Sequence, residues 1–448
     1  MPWYRRKTMQ AQYELDKKAL GGLIPEKGNK TRILVLGSGF AGMSFIKSFL
    51  KNVKYDIAEN LELFLITIKN YHLFTPLLYQ VATGLVNEYH ILDPVRIKTK
   101  KLDYRVIEAE IKEINIERKF VVTSLGNIAY DYLVIALGSV DNDFGIKGVK
   151  ENAIPLKSAK DAIKIRSKII SSFERASLLD IGNPMRKSLL TFVVIGGGPT
   201  GVELVGAIRD YVKQLCNKYY SIDSSECRVI LIEAANRLLL QAREKTAEKC
   251  RRILESRGVR VLLNAKVVAV EQDGVVLADG TKIESSNVFW TAGIKVNPVV
   301  ENISDELVLK KKGRIIVDEY LRVQNYPYAF AIGDNAWVTS GSKLNPVPAM
   351  ASAAVQQGEY LGKYLASILS NYTFKKPFVY KDFGLMLSLG RFKGIVEFPN
   401  GWVITGFLGW LIWRMVHLVK ISTMRNKLGV MFDWAMALFK RRIVTRID

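Results

Sequence analysis

Short apolar runs that stop at glycine set the plan of this chain. Residues 33–36 lead directly into Gly37-Ser38-Gly39-Phe40-Ala41-Gly42, and residues 192–195 into Gly196-Gly197-Gly198-Pro199-Thr200-Gly201. An apolar run, then Gly-x-Gly-x-x-Gly, then a helical pattern predicts strand, turn and helix. The first glycine makes the tight turn, the second lets backbone N–H groups approach a pyrophosphate, and the third lets the helix sit close to the strand. One such fingerprint is weak; two point to two dinucleotides on one polypeptide.

The pattern continues beyond the glycines. Roughly a hundred residues after each fingerprint a short apolar strand ends in a small-residue turn, as an internal duplication would leave it. The first is Asp131-Tyr132-Leu133-Val134-Ile135-Ala136-Leu137-Gly138, and the second is Val288-Phe289-Trp290-Thr291-Ala292-Gly293. Ahead of each lies alternating β-type sequence, 105–122 and 259–276, punctuated by Leu125-Gly126-Asn127 and by Ala278-Asp279-Gly280, as hairpins or a meander are. Each half therefore reads as a βαβ unit, a small β layer and a return strand. A third run, 329–332, ends in Gly333-Asp334. A carboxylate there, at the start of a helix, can accept hydrogen bonds from a ribityl chain while helix amides face phosphate. This segment follows the second repeat, so the first domain is split in sequence. The fold class is α/β: two Rossmann-like domains, each with a small β meander, plus a C-terminal amphipathic helical region. The boundaries are 1–30, an N-terminal tail; 31–185, the opening stretch of the first domain; 186–305, the second domain; 306–375, the closing stretch of the first domain; and 376–448, a membrane-association region.

Composition bears mainly on the C-terminus. The chain of 448 residues is 49% hydrophobic, enough for two or three domains with ample cores. Its formal charge of +22 fits nucleic acid or an anionic membrane. Position favours lipid: Trp402, Phe407, Trp410, Trp413, Arg414, His417, Lys420, Arg425, Lys427, Trp434, Phe439, Lys440, Arg441 and Arg442 cluster at the end, with four of the seven tryptophans. Trp with Arg/Lys suits a helix lying in the headgroup layer, and Val430, Trp434 and Leu438 share a face. No run reaches the roughly twenty residues of a span, so surface attachment is expected ahead of its alternatives, a buried dimer helix and a true span; no secretory h-region follows the basic start. Nucleic acid is not expected as a partner. Cys216, Cys227 and Cys250 have no metal-ligand spacing and read as ordinary residues of a reducing compartment; no metal site and no nucleophile triad is expected.

With these residues in view, the chain resembles the type II, non-pumping NADH:quinone oxidoreductases. The resemblance rests on both fingerprints, on the run from Asn70 through Tyr71-His72-Leu73-Phe74-Thr75-Pro76-Leu77-Leu78-Tyr79-Gln80 to Gly84, on Ile154-Pro155-Leu156-Lys157-Ser158, on Gln356-Gln357-Gly358-Glu359-Tyr360-Leu361 and on Met424-Arg425-Asn426-Lys427-Leu428. It runs from about residue 32 to the C-terminus. It implies non-covalent FAD on the first fingerprint (Gly37, Gly39, Phe40, Ala41, Gly42), with Thr67, Lys69, Thr75, Ala136, Gly138, Gly333 and Asp334 as further contacts. It implies NADH on Gly196, Gly198, Pro199, Thr200 and Gly201, with Ala292 and Gly293 nearby, and quinone near Ser352, Gln356 and Gln357. Glu203, implicated in turnover, orients the nicotinamide or relays protons. Glu233 ends the second strand of its unit, where a carboxylate binds both ribose hydroxyls and repels a 2′-phosphate, so NADH is favoured over NADPH. A homodimer is expected, peripheral on the cytoplasmic face of the cell membrane or, alternatively, on the mitochondrial inner membrane.

The sequence departs from the family in two places. Ser352 stands where the family carries the first of two glutamines four apart, and the ribose-binding acid of the first unit is missing, leaving Thr67 to bond one hydroxyl. Among rivals, disulfide reductases need a cysteine pair on the helix after the first fingerprint, and residues 43–50 have none. Sulfide:quinone oxidoreductases use cysteines near the flavin. A nucleotide-switched signalling or binding flavoprotein is the alternative of another class.

Overall fold

The computed structural model describes residues 25–303, 305, 307–340, 346–372, 374–439 and 442–445. The tail reading for residues 1–24, and the basic residues Lys440 and Arg441, lie outside them. The helices used below are α1 (Phe40–Asn52), α2 (Leu78–Ala82), α3 (Ala159–Ser177), α4 (Pro199–Cys216), α5 (Ala351–Leu369), α6 (Gly406–Lys420) and α7 (Met424–Leu438).

The described residues fold into two compact units, each gathered from three segments: those up to 72, 94–140 and 295–381 in the first, and 73–93, 141–294 and those from 382 onward in the second. Residues 141–185, which the sequence boundaries join to the first domain, belong to the second unit. Ile154–Pro155 pairs there with Asn287–Trp290 as an edge strand. Ser158 then caps α3: its Oγ accepts from Asp161 N, and the Asp161 carboxylate accepts from Ser158 N at 2.7 Å.

The first unit is built on a six-stranded sheet in the order Arg322–Val323, Tyr326–Ala331, Tyr132–Ile135, Thr31–Leu36, Leu61–Thr67, Asp103–Glu108. All pairings are parallel except at the short Arg322–Val323 edge. The central strands are covered on both faces, which is why they read as unbroken apolar runs and not as alternations; Leu61–Thr67 is buried along its whole length. The second unit repeats the arrangement with a parallel sheet in the order Ile154–Pro155, Asn287–Trp290, Thr191–Ile195, Arg228–Ile232, Val259–Leu262. Both expected meanders are present as three-stranded antiparallel sheets, Ile111–Asn115 to Gly126–Ala129 and Val267–Glu271 to Lys282–Glu284.

In the first unit a second helix crosses the fingerprint helix closely. A Cβ on Gly358 of α5 would overlap the Ala41 carbonyl and lie 2.8 Å from Phe45 N of α1, and Ser48 Oγ donates to Glu359 O at 2.7 Å. In the second unit Gly206 of α4 admits a strand instead, with a Cβ there 2.7 Å from Leu389 O. Leu389 directly follows the strand Leu385–Ser388, which opens an antiparallel sheet with Gly394–Glu397 and Val403–Thr405. The C-terminal segment therefore combines a sheet with its helices and is not helical throughout.

Candidate functional site

Each glycine turn is closed by its own geometry. Gly37 and Gly196 take φ of +102° and +108°, which L side chains rarely adopt. A Cβ on Gly42 would overlap Gly37 O, and one on Gly201 would overlap Gly196 O, so strand and helix can approach only without side chains. Gly39 and Gly198 are the opposite case: a Cβ would meet nothing within 4 Å. They cap helices α1 and α4, whose first turns have no side-chain cap and no acidic residue. Two helix N-termini thus keep their amides and positive dipole ends uncapped by side chains, beside open space, a chemistry that fits phosphate.

The strand ends differ. In the second unit the Glu233 carboxylate is fixed by two backbone donors, Gly197 N at 2.6 Å and Ala235 N at 2.8 Å. In the first, Thr67 Oγ1 and Ser38 Oγ lie 2.8 Å apart, and Thr67 donates to Lys69 O at 3.1 Å. His72, singled out in the family-like run, is buried; its Nδ1–H donates to Ser38 O at 2.9 Å and its ring meets Phe40 edge-on. Packing and turn-holding account for it. Thr75 is exposed and falls in the second unit, whereas the other residues assigned to FAD fall in the first.

The return strand of the first unit is tied to the Gly333-Asp334 turn. Asn335 is fully buried, accepts from Gly138 N at 2.9 Å and donates to Ile135 O at 3.0 Å. Asp334 accepts from Ser139 Oγ at 2.7 Å, and Gln357 accepts from Gly333 N at 2.6 Å. Ala136, Gly138, Gly333, Asp334 and Gln357 are thereby brought together, with Asn335 at the centre. The sequence reading missed Asn335, although its place directly after Gly-Asp was a usable signal. The helix expected at Gly333 is a single 3-10 turn, Gly333–Asn335, because Ala336–Trp337 goes on to pair with Arg314–Ile316.

Ser352 and Gln356 lie one turn apart on α5. Both ends of the Gln356 carboxamide grip the backbone of one residue: Oε1 accepts from Lys381 N and Nε2 donates to Lys381 O, each at 3.0 Å. Gln357 points instead to the Gly333 turn.

Glu203 is buried in the second unit, where Ser388 N donates to its Oε1 at 3.0 Å. Burial pushes its carboxyl up to about 8; hydrogen bonds from Ser388 and the Trp413 side chain pull weakly the other way. At neutral pH it is a protonated acid able to donate a hydrogen bond. Tyr79 stands near it, its phenol held well above the usual range by burial and by the Glu203 charge. Gln80 Nε2 donates to Tyr79 Oη at 2.9 Å, and Trp434 Nε1 donates to Gln80 Oε1 at 2.7 Å. The Tyr79-Gln80 end of the family-like run therefore meets the C-terminal helices. A cavity of about 30 Å³ opens here, lined by Tyr79, Gln80, Ser388, Arg414 and Trp434 among others.

The C-terminal tryptophans are not where a headgroup reading puts them. Trp410, Trp413 and Trp434 are buried and only Trp402 is exposed. The Arg414 guanidinium sits over the Trp410 and Trp434 rings, at 3.9 and 4.5 Å. Val430 and Trp434, two of the three residues of the face read from the sequence, pack inward. The exposed apolar stripe is another one: Phe407, Leu411, Met415 and Val419 on α6, with Met424, Leu428, Met431 and Phe432 on α7. Among the described residues no helix is long and apolar enough to cross a membrane.

Fold and turns together define a two-dinucleotide oxidoreductase, and the family model of the pyridine nucleotide-disulphide oxidoreductases matches residues 31–358. The NDH2 C-terminal domain model matches residues 384–443. A probable NADH dehydrogenase of Dictyostelium discoideum is 34% identical, over 92% of this chain and 91% of its own. The type II NADH:quinone oxidoreductase Ndh of Mycobacterium tuberculosis is 33% identical, over 92% and 89%. The solved structure of NDH2 from Plasmodium falciparum in complex with NADH superposes with a TM-score of 0.82 at 21% identity, covering 93% of this chain and all of that one. The chain belongs to the type II NADH:quinone oxidoreductases.

Proposed function

We propose that this enzyme takes a hydride from NADH and delivers two electrons to a membrane quinone through FAD, without pumping protons. The observation that carries the reading is the duplicated helix N-terminus: uncapped, free of acids, and opening on space beside Gly39 and Gly198.

FAD supplies the two-electron redox chemistry, and the chain supplies position and field. Gly37, Gly39, Phe40, Ala41 and Gly42 cradle its pyrophosphate. Thr67 and Lys69 would face its ribose, Asp334 would accept from the ribityl chain, and Ala136 and Gly138 would border the flavin. Asn335 keeps that wall rigid by holding both sides of the turn. NADH lies along Gly196, Gly198, Pro199, Thr200 and Gly201, with Ala292 and Gly293 beside it; Glu233 takes the adenosine ribose. Glu203, neutral at pH 7, orients the nicotinamide by donating a hydrogen bond. Hydride transfer needs its two atoms about 3–3.5 Å apart, so positioning is the enzyme's main task. Ser352, Gln356 and Gln357 border the quinone, but both glutamines already serve backbone partners. Their role is to fix the walls, with Ser352 left to meet the acceptor, through a water where its reach falls short. An anaerobic absorbance titration tests the whole reading: NADH bleaches the yellow flavin and a short-chain quinone restores it. Flavin that stays oxidised under excess NADH overturns it.

The enzyme lies on the membrane surface, through the stripe Phe407, Leu411, Met415 and Val419 and the cations Lys420, Arg425 and Lys427. The apolar stripe enters the acyl boundary and the cations meet anionic headgroups. The membrane is the cytoplasmic face of the cell membrane or the mitochondrial inner membrane, and the enzyme acts as a homodimer. Met415→Glu should abolish co-sedimentation with anionic vesicles while leaving turnover of a water-soluble quinone intact. Unchanged sedimentation would remove the stripe from the interface. Sealed vesicles carrying this enzyme alone should show no proton gradient during turnover.

A further inference from the structure

Cys216 ends α4, and Cys227 stands directly before the strand Arg228–Ile232. Residues 217–226 loop between them. Both thiols are free and their Sγ atoms lie 3.8 Å apart, in contact. The sulfurs already meet, so a small side-chain adjustment brings them toward the ~2.05 Å of a disulfide.

The two thiols are unequal. Cys216 is half-buried and reachable from solvent, whereas Cys227 is buried behind it. The hydrogen bond with Cys227 and the Arg209 guanidinium hold the Cys216 thiol below its usual range, while that same bond and burial push Cys227 up. Arg209 lies on α4 two turns before Cys216; its Nε donates to Arg257 O, and its Nη1 is buried with no partner. An outer thiol that ionises first and an inner thiol that waits beside it make an attacking and resolving pair.

We propose that Cys216 and Cys227 are a reversible oxidation site, which a peroxide converts to an intramolecular disulfide. The Cys216 thiolate attacks a peroxide oxygen, the O–O bond breaks, hydroxide leaves, and Cys216 becomes a sulfenic acid. The Cys227 sulfur then attacks Cys216 Sγ, the S–O bond breaks, and the oxygen leaves as water with the Cys227 proton. Overall two thiols and one hydrogen peroxide give one disulfide and two waters; the thiols are oxidised and the peroxide is reduced. A dithiol reverses it by exchange. The closed form clasps the end of the NADH-unit helix to the neighbouring strand. The site is independent of the electron-transfer reaction and of the residues placed in it.

The experiment treats the full-length holoenzyme with hydrogen peroxide, blocks remaining thiols with iodoacetamide, and maps tryptic peptides without reduction. Trypsin cuts after Lys213, Lys218 and Arg228, so the two cysteines separate onto different peptides and only a disulfide can join them. The expected result is an intact mass lighter by two hydrogens, a linked pair of peptides 214–218 and 219–228, and Cys250 still alkylated. Cys227→Ser should leave Cys216 as a sulfenic acid trapped by dimedone, and Cys216→Ser should leave Cys227 unoxidised. Recovery of both cysteines alkylated, or of Cys216 as an unlinked sulfinic acid in the wild-type protein, overturns the proposal. The wild-type map decides even if a variant fails to fold.

Discussion

At the strand end beside each glycine turn, the first unit sets Thr67 against Ser38 and the second sets Glu233 against Gly197. The backbones agree: Gly37 N donates to Ile66 O and Gly196 N to Ile232 O. The side chains do not. The buried Thr67 hydroxyl and the half-buried Ser38 hydroxyl make a neutral contact, whereas the Glu233 carboxylate is held by two backbone donors, the stronger kind of bond. The same glycine turn is present twice, and the side chains that meet it at the two strand ends differ. The halves also differ beneath the turn. Ser44 of α1 stands where α4 carries Glu203, seven residues after the first glycine of each turn, so only the second unit keeps a buried acid there.

The widest separation of the halves should come from their third glycines. Gly42→Ala and Gly201→Ala each drive a Cβ into a backbone carbonyl that no rotamer change can move. Overpacking of this kind costs about 1–3 kcal/mol where neighbours can yield, and more where they cannot. Gly42→Ala should purify with little or no flavin. Gly201→Ala should keep a full complement of flavin and lose NADH affinity at least about tenfold, the equivalent of ~1.4 kcal/mol. Flavin absorbance per protein and the NADH concentration for half-bleaching measure the two losses. Loss of flavin from both variants would mean that the halves do not fold their sites independently.

Glu203 comes next. Its folded-state carboxyl is raised to about 8 from 4.5, so the folded protein holds a proton that the unfolded chain releases. Stability therefore falls as pH rises from about 4.5 to about 8 and levels off above, with an upper bound of about 5 kcal/mol from the size of the shift. Glu203→Gln removes this dependence. Urea midpoints for wild type and variant should stand closest at acid pH, diverge in the variant's favour up to about pH 8, and keep that gap above it. A carboxamide can still donate a hydrogen bond to the nicotinamide, so KM for NADH should hold while the decline of kcat above pH 8 disappears. A KM that rises sharply with no change in pH profile would take the proton out of Glu203's role.

The duplication itself was legible because each strand, turn and helix is local and its apolar runs are long enough to be read without context. So were the meanders, bounded by their own turn residues. What escaped the sequence was non-local. Nothing in a linear reading says that Trp434 reaches Gln80, because a Trp on a helix face suits lipid and core equally; the competing packing against Trp413 and Arg414 decided it. The Gln356 clamp on Lys381 depends on a loop 25 residues away. Residues 141–185 changed unit because a two-residue edge strand, too short to carry a periodic signal, joins them to the second sheet. Asn335 was passed over because a buried amide has no pattern of its own; its value lies in the two backbone groups it satisfies.

Glu233→Gln tests the strand end directly. Hydrogen bonds to a charged group contribute about 1.5–3 kcal/mol, so NADH affinity should fall by roughly one to two orders of magnitude. Binding of NADPH should fall far less, since its 2′-phosphate no longer meets a negative charge, and the ratio of kcat/KM for the two nucleotides should approach unity. A ratio that stays put would place the discrimination elsewhere in the second unit.

The smallest effect is the most telling about how the halves diverged. A Cβ on Gly197 would lie 2.9 Å from Glu233 Oε2 and 3.0 Å from its Cβ, so a glutamate at this strand end requires glycine in the turn. Ser38 occupies the matching place in the first unit and tolerates Thr67, whose hydroxyl lies 2.8 Å away. The two positions should then change as a pair. Thr67→Glu alone forces a carboxylate against the Ser38 side chain and should lower the melting temperature. Ser38→Gly alone loses the hydroxyl's contacts with Thr67 Oγ1 and Tyr71 O. The double variant should recover most of the Thr67→Glu loss, because the turn amide of residue 38 becomes free to donate to the new carboxylate as Gly197 does to Glu233. A coupling of about 1 kcal/mol lies within the range for residues in contact. If the two losses instead add, turn and strand end are independent, and the pairing of Gly197 with Glu233 reflects the ligand alone and not the fit of one side chain to the other.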